Sequence, residues 1–242
     1  FFQFPPAQET LMATTYDGVA QEAKTNGSRP LVIYEKWTGK SRMVNDALNS
    51  LSARGVVYDT LSYGILEGRG IDTTMVKMMD TTRVNTAFVV SESEAFVSDV
   101  LRNLHLAKGH NSKLEISLYG LPKWRNFEVV ELTYLHELNT HLSLQYNIDY
   151  TNPEVIRFIN EFRHHFNTDP NQYAFQGYDI MSYCLSLLDQ YGREFPAHLD
   201  GEEKSLFQSN IRFEKADNGS GFTNKGARNI LYSENWVIKS WE

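Results

Sequence analysis

Apolar positions along this chain alternate between two periods. From Thr10 to Lys24, and again from Lys40 to Arg54, they recur every three or four residues, the spacing of one helix face. In the second segment Met43, Ala47, Leu48 and Leu51 share a side, and Gly55 follows as a stop. Between the two, Leu31-Val32-Ile33-Tyr34 is a continuous apolar run, which predicts a short strand covered on both faces. The alternation continues with a strand opening at Val56-Val57-Tyr58, a helix from Ile71 to Met79 and a buried strand from Asn85 to Val90. A helix from Glu94 to Leu106 and a strand from Leu114 to Leu118 complete the series. This order predicts an α/β fold, a parallel sheet with helices on both faces.

After Gly120 the rhythm changes. The loop Leu121-Pro122-Lys123-Trp124 leads to less regular sequence with a strand near His141 to Tyr146. Two long helices follow, Pro153 to Phe166 and Tyr173 to Tyr191. Asp169-Pro170-Asn171 forms a turn-and-cap cluster before the second. Ala174, Gly177 or Tyr178, Met181, Cys184 or Leu185, and Leu188 lie at helical spacing along it, which predicts the buried face. The tail is rich in Gly and Asn (Asn218-Gly219-Ser220-Gly221), and Ile230-Leu231-Tyr232 with Trp236-Val237-Ile238 predicts a closing hairpin.

The 242 residues suit one large or two small domains. A net charge of −7 argues against a general nucleic-acid binder, because phosphate binding needs a basic surface. No apolar run approaches the roughly 18 residues of a membrane span. With Cys184 as the single cysteine, an internal disulfide is excluded. The start, Phe1-Phe2-Gln3-Phe4-Pro5-Pro6, reads as a chain cut from something longer, or processed.

In open parallel sheets, ligands sit at the carboxyl ends of strands, where loops and helix N-termini converge. The segments just past the strands are Glu35-Lys36-Trp37-Thr38, Ser62-Tyr63-Gly64, Ser91-Glu92-Ser93 and Tyr119-Gly120-Leu121-Pro122-Lys123-Trp124. Such aromatics and hydroxyls fit a small polar ligand. Helix capping is the other reading for Ser91, since Ser91-x-x-Glu94 has the capping-box pattern. Gly39-Lys40-Ser41 looks like the end of a phosphate loop, but Tyr34 stands where that motif needs a glycine. Gly64-x-x-x-Gly68-x-Gly70 reads as a flexible loop. His136 and His141 are five apart, diverging by roughly 140° on a helix, so they do not form a zinc pair. His164-His165 point to a solvated helix face, and Cys184 to a structural thiol without a nearby histidine. No metal, cofactor or catalytic residue emerges from these patterns.

Three segments, in order, carry a family likeness: Thr10 to Arg54, Asn85 to Leu104, and Pro170 to Leu188 with its P-x-x-Y-A-x-x-G-Y-D-like start. Together they resemble the type I periplasmic binding proteins of the leucine/isoleucine/valine-binding kind. The resemblance implies two α/β lobes joined by crossing strands, closing on a ligand by hinge motion. It implies one lobe of residues 8–120 and 208–242, and a helical return segment, 121–207, of the partner lobe. On that mapping about a hundred residues of the partner lobe lie outside the chain. The cleft-facing positions it implies are Trp37, Thr38, Ser91, Ser93, Gly120 and Trp124. Leu-Tyr-Gly-Leu-Pro-Lys-Trp and Tyr-Ala-Phe-Gln-Gly-Tyr-Asp also resemble envelope proteins of Bacteroidetes-type bacteria, in which such a region can follow a peptidoglycan-binding LysM segment.

The function so implied is non-enzymatic binding of an amino-acid-like, peptide or peptidoglycan-derived solute in the periplasm or cell envelope. Its partners are the small molecule itself and a membrane transporter or peptidoglycan-associated protein. An envelope interaction module is the alternative, presenting Trp37, Trp124 and Tyr63 as a protein-facing patch. An enzyme reading would need a carboxylate–histidine contact at the rim, where Glu35, Glu92 and Glu94 are the acids.

Overall fold

The computed structural model describes residues 1–39, 41–67, 70–199, 203–216, 219 and 221–241. Lys40, Gly68, Asn218 and Ser220, named above in glycine-containing loops, lie outside the described residues. In chain order the elements are β1 (Phe2–Gln3), α1 (Gln8–Asn26), β2 (Leu31–Glu35), α2 (Arg42–Ala53), β3 (Asp59–Tyr63) and α3 (Ile71–Met78). Next come β4 (Val84–Val89), α4 (Glu94–His110), β5 (Glu115–Tyr119), α5 (Leu132–Glu137) and β6 (Thr140–Leu144). Then follow α6 (Pro153–Phe166), α7 (Gln172–Tyr191), β7 (Lys204–Ser205), β8 (Asn210–Ile211), β9 (Phe213–Lys215), β10 (Phe222–Asn224), β11 (Arg228–Tyr232) and β12 (Ile238–Ser240).

The chain divides into two compact units, residues 12–143 with 229–242 and residues 1–11 with 144–228. These boundaries differ from a division at 120/121 and 207/208. β6 pairs in parallel with β5 (Leu118 opposite Thr140), which carries the chain through residue 143 into the first sheet. β10 pairs with both β1 and β9, which draws the segment before residue 228 into the other unit.

The larger unit is built on a seven-stranded sheet ordered β3-β2-β4-β5-β6-β11-β12. The pairings of β2 with β3, β2 with β4, β4 with β5 and β5 with β6 are all parallel. Leu31, Val32 and Ile33 on β2, and Ala87, Phe88 and Val89 on β4, are all buried, as a sheet covered on both faces requires. Two boundaries moved. Val56 donates its N–H to Leu51 O at 3.1 Å, closing the end of α2, so β3 starts only at Asp59. In the closing hairpin, Trp236 has a positive φ of 58° and its N–H bonds Ser233 O. Ser233 to Trp236 therefore form the turn, Val237 O accepts from Ser233 N, and β12 pairs from Ile238 opposite Tyr232.

The smaller unit holds α6, α7, the two-stranded sheet β7-β8 and the three-stranded sheet β1-β10-β9. Asn152 accepts from Glu154 N ahead of Pro153, and Asn171 accepts from Tyr173 N and Ala174 N, so both helices begin with an Asn cap. The stripe read as the buried face of α7 is its exposed one. Met181 is 57% and Leu185 56% exposed, whereas Phe175, Asp179 and Tyr183, one turn apart, face inward. Phe175 packs on Phe158 of α6, and Tyr183 joins Leu199, Ile211 and Phe213 in the core. Asp179 is buried and accepts from Phe207 N, Gln208 N, Ser209 N and Ser209 Oγ at 2.8–3.1 Å. Four donors on one carboxylate replace its lost hydration and fix the 207–209 turn against α7. Among the described residues, no helix is long and apolar enough to cross a membrane.

Candidate functional site

The strand order reverses between β2 and β4, because the chain runs from β2 outward to β3 and then returns to β4 on the other side. At such a reversal the loops leaving adjacent carboxyl ends diverge to opposite faces and leave a crevice. The loops here are Lys36-Trp37-Thr38, a single 3-10 turn after β2, and Val90-Ser91-Glu92-Ser93 after β4. The Trp37 ring is 74% exposed, with Lys36 Nζ 5.8 Å from its centroid. Lys36 also bonds Glu67 at 2.9 Å, and that contact holds the Glu67 carboxyl below the usual carboxylate range. Thr38 Oγ1 donates to Glu35 O at 2.8 Å, which closes the turn.

Ser91, Ser93, Gly120 and Trp124 meet a short way along the same edge. Trp124 is 4% exposed and its indole N–H donates to Ser91 O at 2.9 Å. A Cβ on Gly120 would lie 2.4 Å from the Trp124 ring, so the ring lies flat on bare backbone. Ser93, not Ser91, caps α4: its Oγ accepts from Phe96 N, while Ser91 Oγ accepts from Ser93 N at 3.1 Å. The Ser91-x-x-Glu94 capping box is corrected accordingly, since Glu94 is the first helical residue and its carboxylate accepts from Val129 N. Trp124 and Tyr63 (2% exposed) are wall rather than patch, because each spends its polar atom inside the unit. Of the aromatics expected there, Trp37 is the one presented to solvent.

Among the described residues, the acids near the rim are not paired with histidine. Glu92 bonds Lys123 at 3.1 Å. The carboxylate–histidine pairs His105–Glu137 and His110–Asp72 sit toward the other end of α4, away from the strand carboxyl edge. Among the described residues no three metal-ligating side chains converge.

No family model matches the sequence, and no curated protein matches it. Solved structures do match the fold. An ABC transporter substrate-binding protein from Desulfitobacterium hafniense in complex with Leu superposes with a TM-score of 0.55 at 14% identity, over 99% of this chain and 67% of that one. The chain has a type I periplasmic-binding-protein fold. A putative branched-chain amino acid ABC transporter protein from Rhodospirillum rubrum gives 0.52 at 14% identity, over 94% of this chain and 64% of that one. LpoA from Haemophilus influenzae gives 0.50 at 11% identity, over 96% of this chain and 38% of that one. The chain thus spans about two thirds of the length of the substrate-binding structures it matches.

Two further features of this periplasmic-binding-protein fold were not read from the sequence. Across β5 and β6, Tyr119 stacks on His141 with centroids 4.5 Å apart, Ser117 Oγ donates to Glu22 at 2.9 Å, and Trp241 closes edge-on over both rings. Burial pushes His141 down to about 4 and Glu22 up, while His141 Nδ1 reaches Leu118 O at 3.3 Å. Ser117 Oγ also lies 3.4 Å from His141 Nδ1, so Glu22, Ser117 and His141 form one polar staple across β5 and β6. The second feature is a cavity of about 230 Å³ within the smaller unit. Gln145, Tyr146, Gln172, Gln176 and Gln208 supply its polar wall, and Phe4, Ile180 and Ile211 its apolar one. Gln172 and Gln176, one turn apart at the start of α7, were the available signal.

Proposed function

We propose that this chain is the ligand-binding region of a non-enzymatic, extracytoplasmic solute-binding or sensor protein. A small polar solute, amino-acid-like or derived from peptide or peptidoglycan, sits at the carboxyl edge of the parallel sheet. The observation that carries this reading is the strand reversal between β2 and β4, flanked by the exposed Trp37 ring and the Ser91–Ser93 turn. The likeness to a substrate-binding protein solved with Leu supports it. In this reading residues 12–143 with 229–242 are one lobe, residues 1–11 with 144–228 belong to the other, and the lobes close on the solute by a hinge. Trp37 and Thr38 touch the solute, Ser91 and Ser93 orient the loop beside it, and Trp124 on Gly120 holds that loop in place. The solute is then passed to a membrane transporter or sensed by a peptidoglycan-associated partner.

A thermal-shift screen against amino acids, short peptides and muropeptides tests it. A stabilising compound whose effect is lost in Trp37→Ala, with the unliganded Tm unchanged, supports the site. Shifts that survive Trp37→Ala place the solute elsewhere.

One observation favours the second reading, an envelope interaction module. It is the exposed apolar stripe of α7, Met181, Leu185 and Leu188, rather than the aromatics Trp124 and Tyr63. Absence of any solute response from well-folded full-length protein, with capture of an envelope partner abolished by Leu185→Glu, would decide for it.

A further inference from the structure

We propose that the cavity of the smaller unit is a second binding site, for a neutral monosaccharide. Its volume of about 230 Å³ falls below the roughly 300–1,000 Å³ of drug-sized sites, which limits an occupant to about one sugar ring. None of its lining side chains is charged. A free amino acid would bring an ammonium and a carboxylate into a wall that offers neither a counter-charge, so the chemistry here differs from that proposed at the sheet edge.

The polar lining is four glutamine amides with the hydroxyls of Tyr146, Tyr173 and Ser209. Each glutamine side chain carries a two-donor NH2 and a two-acceptor carbonyl on one rigid plane, the complement of neighbouring hydroxyls that donate and accept in turn. The cavity keeps part of this capacity free. Gln145 donates to Pro6 O at 3.2 Å, and Gln172 Oε1 accepts from the Tyr146 hydroxyl. The Gln145 carbonyl and the Gln172 NH2 have no partner among the described residues. Gln208 is 4% exposed and is held by the backbone of α7, its NH2 donating to Gln172 O and its carbonyl accepting from Gln176 N, both at 3.2 Å. That anchors one amide in the cavity lining, with a second N–H and a second lone pair still to use. Phe4, Ile180 and Ile211 also line the cavity and add apolar surface suited to the C–H face of a sugar ring. Asn171 already accepts from the first N–H groups of α7, so the helix start does not turn the cavity into an anion site.

Calorimetric titration of the chain with D-glucose, D-galactose and N-acetyl-D-glucosamine, and with leucine and glycine as charged counterparts, tests the assignment. At least one of the sugars binds. Gln176→Ala, which removes an amide whose side chain makes no hydrogen bond among the described residues, weakens that sugar by at least about fivefold. Ile180→Trp fills the cavity and abolishes binding. Trp37→Ala leaves sugar binding unchanged, which separates this site from the one at the sheet edge. The proposal is overturned if no sugar gives heat at tens of millimolar, if sugar binding ignores both cavity variants, or if an amino acid binds in a way that Gln176→Ala removes. Near-identical melting of the variants keeps a folding defect from imitating any of these results.

Discussion

At the scale of single residues, two glycines are fixed by the rings that lie on them. A Cβ at position 120 would meet Trp124 at 2.4 Å, and that ring is buried and hydrogen-bonded, so it has nowhere to go. Gly120→Ala should lower stability by about 1–3 kcal/mol in denaturant unfolding, the usual cost of overpacking. Gly18 sits in the middle of α1 beneath Trp241, whose ring would be 2.7 Å from an added Cβ. Gly18→Ala should therefore destabilise despite alanine's better helix propensity, and adding Trp241→Ala should recover much of that difference. His141 gives a pH signature. Its folded pKa, about 4, lies below the unfolded value near 6.5, so the unfolded chain binds more protons between those values. Stability should be complete above pH 6.5 and fall as pH drops toward 4, by on the order of 1–3 kcal/mol from this group. Urea midpoints across that window should decline more shallowly in His141→Asn. The contacts of Trp241 with Gly18 and His141 do not show in the sequence because they join residues distant in the chain. That of Trp124 with Gly120, four residues apart, does not show because it depends on how the loop after β5 folds.

At the scale of elements, helices and central strands were legible because period alone identifies them: α6 begins and ends where its pattern and caps place it, and β2 and β4 stand out as apolar runs. Which face of α7 is buried was not legible. Met181, Leu185 and Leu188 are more apolar than Asp179, yet Asp179 goes inside because four donors from the 207–209 turn await it. Hydrophobicity ranks side chains, whereas hydrogen-bond partners that arrive from 28 to 30 residues later decide a case such as this. Two consequences can be measured. Asp179→Ala should cost about 3 kcal/mol or more, since it strands buried donors, and Phe175→Ala about 3–5 kcal/mol through its cavity. Met181→Gln and Leu185→Gln should stay within about 0.5 kcal/mol of the parent. A large loss from either glutamine variant would show that this face is covered in solution. The short strands β7 to β10 escaped detection because two or three residues carry no readable period.

At the scale of the whole molecule, the parallel order of β2 to β6 followed from alternation of helix and strand, while the division between units did not. Pairing of β6 beside β5, and of β10 beside β1, joins segments far apart in sequence, so local pattern could not place the boundaries. The six rim residues all lie just past β2, β4 or β5, where the sequence puts strand ends, but what each does was not legible: Trp37 alone offers an open ring and Trp124 builds the wall. The proposed solute is held where the strand order reverses. Hydrogen exchange of the full chain, with and without the compound that most raises its Tm, tests this directly. Slowed exchange concentrated in residues 36–38 and 91–93 is the result predicted. Protection that leaves both loops unchanged and appears elsewhere would contradict it.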